Sequence, residues 1–161
     1  MSAAHCFAEN SEDYIPKEKL RIVYGLHDLK LLEESFVEKT IRNIDEVIVH
    51  PRYKYPEAYA DVVILKVDKT VKFSDVIYPV CLPDKQNKNK NHLNEKSVSV
   101  VGFGPSEDGS NILRKISQTV RSYSYCNGRH KPKNVDIKLR PLLSKELPNG
   151  FDGTLICSQN K

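Results

Sequence analysis

Tryptophan is absent from the 161 residues, and no stretch approaches the roughly 18 consecutive apolar residues that a membrane-spanning helix needs. No Cys-x-x-Cys and no metal-type Cys/His spacing occurs, so zinc is not expected even at the neighbours His5 and Cys6. No Asn-x-Ser/Thr sequon is present, which excludes N-glycosylation of these residues. The opening MSAAHCFAEN has neither the basic nor the apolar region of a signal peptide. Charge of one sign is scarce too: 25 Lys plus Arg against 21 Asp plus Glu leave +4, spread along the chain. Nucleic acid and membrane are therefore not expected as partners. With 39% hydrophobic and 29% charged residues, the composition is that of a globular protein, not of a disordered or collagenous chain.

The four cysteines, Cys6, Cys81, Cys126 and Cys157, are compatible with two disulfides in three connectivities. Isolated thiols in a cytosolic protein are the alternative. His5 and Cys6 have no preceding run that would bury them, and GTLICSQNK stops on an apolar run and a cysteine. Both ends are read as cuts in a longer chain.

Apolar residues gather in short β-branched runs, not helical stripes. Strands are expected at Leu20–Tyr24, Glu46–Val49, Val62–Val67, Val98–Val101, Ile116–Val120 and Thr154–Ile156. Their spacing suits an all-β sandwich or barrel. The segment Asp84–Lys96, DKQNKNKNHLNEK, is almost wholly polar and reads as a solvated linker between two halves. Gly128–Asp136 reads as a surface loop, and a helix between Val135 and Leu147 is limited by Pro141.

Two local patterns carry chemistry. His5 stands between Ser2-Ala3-Ala4 and Cys6, and Asp61 heads VVILKV, a run apolar enough for burial on both faces. A carboxylate there is costly to desolvate unless it is hydrogen-bonded. An imidazole would serve, and the carboxylate would fix its tautomer and stabilise its cation.

In order along the chain, these motifs resemble those of the trypsin-like (chymotrypsin-fold) serine proteases. SAAHC is similar to the family's TAAHC, and DVVILKV to its DIALLKL. YGLHDL resembles LGEHDL, VIVHPRY resembles VIVHPxY, IYPVCLP resembles RPVCLP, and VVGFG resembles VAGWG. GFDGTLIC is similar to GITDNMIC, the segment before the nucleophile. FSDVIYPVCLP and the loop lengths resemble arthropod secreted cascade proteases of the clip type. Phe103 stands where the family has tryptophan.

The resemblance implies an all-β fold of two antiparallel Greek-key barrels, both incomplete at the chain ends. Residues 1–83 would be the first barrel without its opening strands, 84–97 the linker, and 98–161 the first part of the second barrel. His5 would be the general base and Asp61 the residue that orients it. The family's GDSGGP is not found, so no serine here is assigned as nucleophile, Ser158 included. The oxyanion donors and specificity-pocket residue belong to the same missing segment. The resemblance also implies a Cys126–Cys157 bridge, with Cys6 and Cys81 paired to cysteines outside the chain. Cys81 would tether the domain to an upstream regulatory segment, in a secreted zymogen.

The implied function is peptide-bond hydrolysis after Arg or Lys, on protein or peptide substrates, without a cofactor or metal, and with serpin-type protein inhibitors as further partners. The alternative is a non-catalytic homologue acting as a binding or regulatory scaffold. An unrelated disulfide-stapled adhesive β domain is the third reading. Leu26 replaces the glutamate of a calcium loop found in some members. Glu33, Glu34 and Glu38 are given surface roles, with calcium ligation as the alternative. His27 and His50 fall inside strand motifs and are read as structural, and His92 and His130 as loop residues without a specific role. The chain alone is expected to fold poorly, because barrels lacking strands have open edges.

Overall fold

Six short strands, paired three and three, form the framework of the computed structural model, which describes residues 1–10, 13–33, 40–83, 93–104, 109–131 and 134–160. Glu34, Glu38, His92 and most of the polar 84–96 segment lie outside the described residues, as does the side chain of Glu33. In the first half, β1 (Arg21–Val23), β2 (Ile41–Val49) and β3 (Val63–Val67) make an antiparallel sheet in that order. In the second, β4 (Ser97–Gly102), β5 (Arg114–Arg121) and β6 (Cys157–Asn160) make another. The architecture is all-β, as expected, and each sheet is an open meander among the described strands.

β2 serves two neighbours because it is long. Its start pairs with β1, Val23 opposite Ile41, and its remainder with β3, Val49 opposite Val63. Between Ile44 and Glu46 the register shifts, which bends the strand. Inward residues alternate along β3: Val63 is fully buried and Leu65 half-buried, whereas Ile64 and Lys66 face out.

That alternation corrects one expectation. Val62 and Ile64 are 42% and 49% exposed, so VVILKV is covered on one face only. A three-stranded open sheet has a single packed side, and only the positions at period two find it. Phe7, Ala4, Tyr53 and Val63 form the buried cluster of that side, with Leu20, Val47 and Leu65 against it. Each fully buried Val or Phe contributes roughly 1.5–3 kcal/mol.

Two further boundaries differ from the sequence reading. The turn at Gly153–Thr154, held by Thr154 N–H on Asp152 Oδ1 at 2.7 Å, leads through Leu155 and Ile156, which are not in a strand, and β6 begins only at Cys157. A helix not expected from the sequence, α1, spans Tyr123–Arg129. Ser122 caps it by accepting the Tyr125 N–H at 3.2 Å. The second helix, α2, spans Arg140–Glu146, and Pro141 sits in its first turn, where a missing N–H takes nothing away.

Among the described residues, hydrogen bonds join the two halves at two places. Asp28 pairs with Ile112 in an isolated bridge, and the loop before Asp61 is hydrogen-bonded to residues 146–154. The second contact bears directly on the site.

Candidate active site

Small residues bring His5 to the sheet. Ser2 exchanges two backbone hydrogen bonds with Val63, each 2.9 Å, and docks the chain start on β3. Ala4, wholly buried, lies under the single 3-10 turn Ala4–Phe7, and a larger side chain there would lift the turn from the sheet. His5 is carried on the outer side of this turn with its ring 61% exposed.

Asp61 reaches it from the end of the loop that leads into β3. Ala60 has φ +52°, a left-handed conformation uncommon for a residue with a side chain, and costs roughly 1–3 kcal/mol unless its surroundings hold it. The Val62 N–H donates to Ala60 C=O at 2.7 Å, closing a three-residue turn around Asp61. The carboxylate projects from the apex. Its Oδ1 accepts the His5 backbone N–H at 2.8 Å, and its Oδ2 lies 2.6 Å from His5 Nδ1. One carboxylate thus fixes both backbone and ring of the same histidine.

The consequence is a defined tautomer. A carboxylate only accepts, so Nδ1 carries the proton and Nε2 presents its lone pair outward. Cys6 Sγ lies 3.5 Å from Nε2. The Asp61 side chain is 19% exposed, against 61% for His5, so the carboxylate is the more shielded partner of the pair.

Tyr53 was not singled out from the sequence. It is buried beside the pair, and its hydroxyl has no hydrogen-bond partner among the described residues. Burial, and then the Asp61 carboxylate, push its phenol from 10 up to about 12. The fold therefore favours the neutral phenol. Its contribution to stability is complete below about pH 10 and lost as pH rises through about 12. Tyr53→Phe is expected to flatten alkaline unfolding in that window, measured by circular dichroism. At neutral pH it should be stabilising by about 1 kcal/mol, since an unpaired buried hydroxyl is removed. A loss of stability at neutral pH would show that the hydroxyl has a partner after all. In the second half, burial and then Asp152 raise the Tyr123 phenol, whose O–H donates to Leu155 C=O at 2.9 Å.

The structure brings His5 and Asp61 together across 56 positions of sequence and joins Cys126 to Cys157, with Cα atoms 6.3 Å apart. Cys6 and Cys81 are exposed thiols without a disulfide. His50 Nδ1 accepts the Arg52 N–H at 3.1 Å, a local turn contact, while His27 offers its carbonyl to Leu113 N–H at 2.7 Å. His130 packs on Phe151, ring centroids 5.1 Å apart. Among the described residues, no three His, Cys, Asp or Glu side chains stand close enough to hold a metal, and no helix is long and apolar enough to cross a membrane.

Comparison with known proteins bears on the same elements. The family model described as Trypsin matches residues 1–145. The clotting factor G beta subunit of Tachypleus tridentatus is 27% identical over 166 aligned positions, which cover 98% of this chain and 47% of that protein. Venom serine protease 34 of Apis mellifera is 31% identical over 133 positions, covering 78% of this chain and 31% of its own. Coagulation factor XI of Bos taurus is 24% identical over 140 positions, covering 86% of this chain and 21% of that protein. The chain spans less than half the length of each of these relatives. A match over nine-tenths of the residues, on an all-β frame that pairs the histidine of SAAHC with the aspartate of DVVILKV, has one reading: the chain belongs to the trypsin-like serine protease family.

Proposed function

We propose that this chain is part of a secreted serine-type endopeptidase that hydrolyses peptide bonds after Arg or Lys, with His5 as general base and Asp61 as its orienting partner. The observation that carries the proposal is the double contact of Asp61 with His5, which leaves Nε2 as the proton acceptor on the exposed side of the ring. In the acylation step Nε2 takes the serine hydroxyl proton as the oxygen attacks the scissile carbonyl. Asp61 Oδ2, 2.6 Å away, stabilises the imidazolium that results. The imidazolium then gives that proton to the leaving amine.

No Gly-Asp-Ser-Gly occurs in the 161 residues, so the nucleophile and the oxyanion donors are assigned to sequence outside them. Residues 1–83 are taken as the first barrel without its opening strands, 98–161 as the first part of the second, and 84–97 as their connection, at whose end β4 begins. Cys6 and Cys81, both exposed and unbridged, are assigned to partners outside the chain. Tyr78, Val80 and Leu82 around Cys81 are all more than two-thirds uncovered, which suits a covalently tethered regulatory segment lying there. Protein substrates and serpin-type inhibitors are the expected non-covalent partners.

The second reading is a family member that binds partners and catalyses nothing. One observation separates the two. Gly-Asp-Ser-Gly encoded past Lys161 supports the enzyme, and glycine at the serine position supports the scaffold. For the 161-residue chain itself, we expect no covalent labelling by a serine-directed fluorophosphonate, because no acyl-enzyme is accessible to it. Labelling would overturn the assignment of the nucleophile.

A further inference from the structure

The turn that presents Asp61 has one hydrogen bond of its own, Val62 N–H to Ala60 C=O, and takes its other support from across the molecule. The left-handed Ala60 and the adjacent Tyr59 are both 8% exposed, and the Ala60 N–H and the Tyr59 hydroxyl are satisfied from the other half of the molecule. Tyr59 Oη donates to Gly150 C=O at 2.7 Å and accepts the Asn149 N–H at 2.9 Å. On either side of it, Ala58 N–H donates to Glu146 C=O at 2.8 Å and Ala60 N–H to Thr154 Oγ1 at 3.3 Å. Three consecutive residues before the carboxylate are thus pinned to segment 146–154.

The receiving segment is rigid for its own reasons. Gly150 has φ +71°, and a side chain there would meet Asn127 Oδ1 at 2.6 Å, so only glycine fits. Asn127 Oδ1 accepts the Phe151 N–H at 2.8 Å, and Asn127 follows Cys126, which is bridged to Cys157. A buried hydroxyl that both donates and accepts has a single favourable placement, so the Tyr59 ring transmits that rigidity to the loop.

We infer that Tyr59 is a positioning residue for the His5–Asp61 pair, locking the Asp61 loop to segment 146–154 of the opposite half. The inference rests on the reading of that pair as base and orienter. Without the lock, Ala60 relaxes toward ordinary backbone angles, the Asp61 carboxylate withdraws from Nδ1, and the ring loses its tautomeric preference.

The test reads the tautomer directly and needs no serine. Ring 15N shifts of His5, with the ring neutral, give the ratio of Nδ1–H to Nε2–H forms in the full gene product. Asp61→Ala provides the reference for a lost pair. Tyr59→Phe is expected to lower the ratio about tenfold, toward that reference, while the amide signals of β2 and β3 stay in place. Thr154→Val, which removes the acceptor for Ala60 N–H, should lower it in the same direction, and Thr154→Ser should restore it. A ratio unchanged in both Tyr59→Phe and Thr154→Val overturns the inference. Should Tyr59→Phe fail to fold, as judged by those amide signals, Thr154→Val with its serine rescue decides alone. An Asp61→Ala ratio equal to that of the unaltered chain would instead overturn the underlying pair.

Discussion

His5→Ala and Asp61→Asn, each made in the full gene product, are expected to lower kcat on an Arg-ester substrate at least about 10⁴-fold with little change in KM. That magnitude is carried over from the triad of the family as a class. The direction follows from the geometry on hand. A serine hydroxyl is a weak nucleophile near neutral pH and needs a base placed to take its proton as the bond forms. Only Nε2 of the His5 ring faces outward with a lone pair, and it does so because Nδ1 is committed to Asp61 at 2.6 Å. Asparagine at position 61 can turn its amide N–H₂ toward Nδ1, which favours the other tautomer and puts a proton where the base is needed. Neither side chain grips the substrate in the ground state, so the loss belongs in kcat. Hydrolysis surviving either substitution within tenfold would remove these residues from the proposed roles. A full product that hydrolyses nothing, and has glycine for the serine, would make the scaffold reading correct.

The strands could be read from sequence where β-branched residues cluster, because those residues suit a half-buried pleated surface. Val63–Val67 and the end of β2 are examples. β5 begins at Arg114, two residues earlier than the apolar run suggests, because pairing with Gly102 and Val101 of β4 recruits polar positions as readily as apolar ones. Helix α1 escaped for the opposite reason. Tyr123–Arg129 contains Asn127 and Gly128, both poor helix formers, and is held by the Ser122 cap and the Cys126 bridge, so tertiary bonds override its propensity.

At the site the division is sharper. His5 and Asp61 stand out locally, because a carboxylate heading an apolar run needs a hydrogen-bond partner, but only the order of the motifs ties Asp61 to a histidine 56 residues away. Tyr53 and Tyr59 were overlooked. A tyrosine among alanines in AYAD looks like any loop aromatic, and only the fold reveals that its hydroxyl is bonded on both sides. A sequence-level hint was available in the cysteine spacing. Cys126 and Cys157 stand 31 residues apart, and an excursion that long, closed by a bridge, has to pack on something.

The same excursion supports the largest expected effect on stability. Cys126→Ala together with Cys157→Ala is expected to destabilise the chain by about 3.7 kcal/mol, the chain-entropy value for freeing a closed loop of this length. Against a total of roughly 5–15 kcal/mol for a domain, this is a large share. Both cysteines are buried, at 7% and 2% exposure, so the alanines leave little to rehydrate and the lost constraint dominates. Denaturant unfolding with Cys6 and Cys81 blocked gives the number, as a shift of midpoint at constant slope. The effect should not stay local. β6 has four residues, and Cys157, opposite Arg121, is the first of them. Its release loosens both α1 and segment 146–154, and with them the partners of Tyr59. The His5 tautomer ratio should therefore fall in the bridge-free chain even under conditions where β1–β3 remain folded. A midpoint shift worth less than about 1 kcal/mol would mean that the excursion is held by its packing and hydrogen bonds alone. An unaltered tautomer ratio beside a large shift would separate the stability of the second sheet from the geometry of the pair.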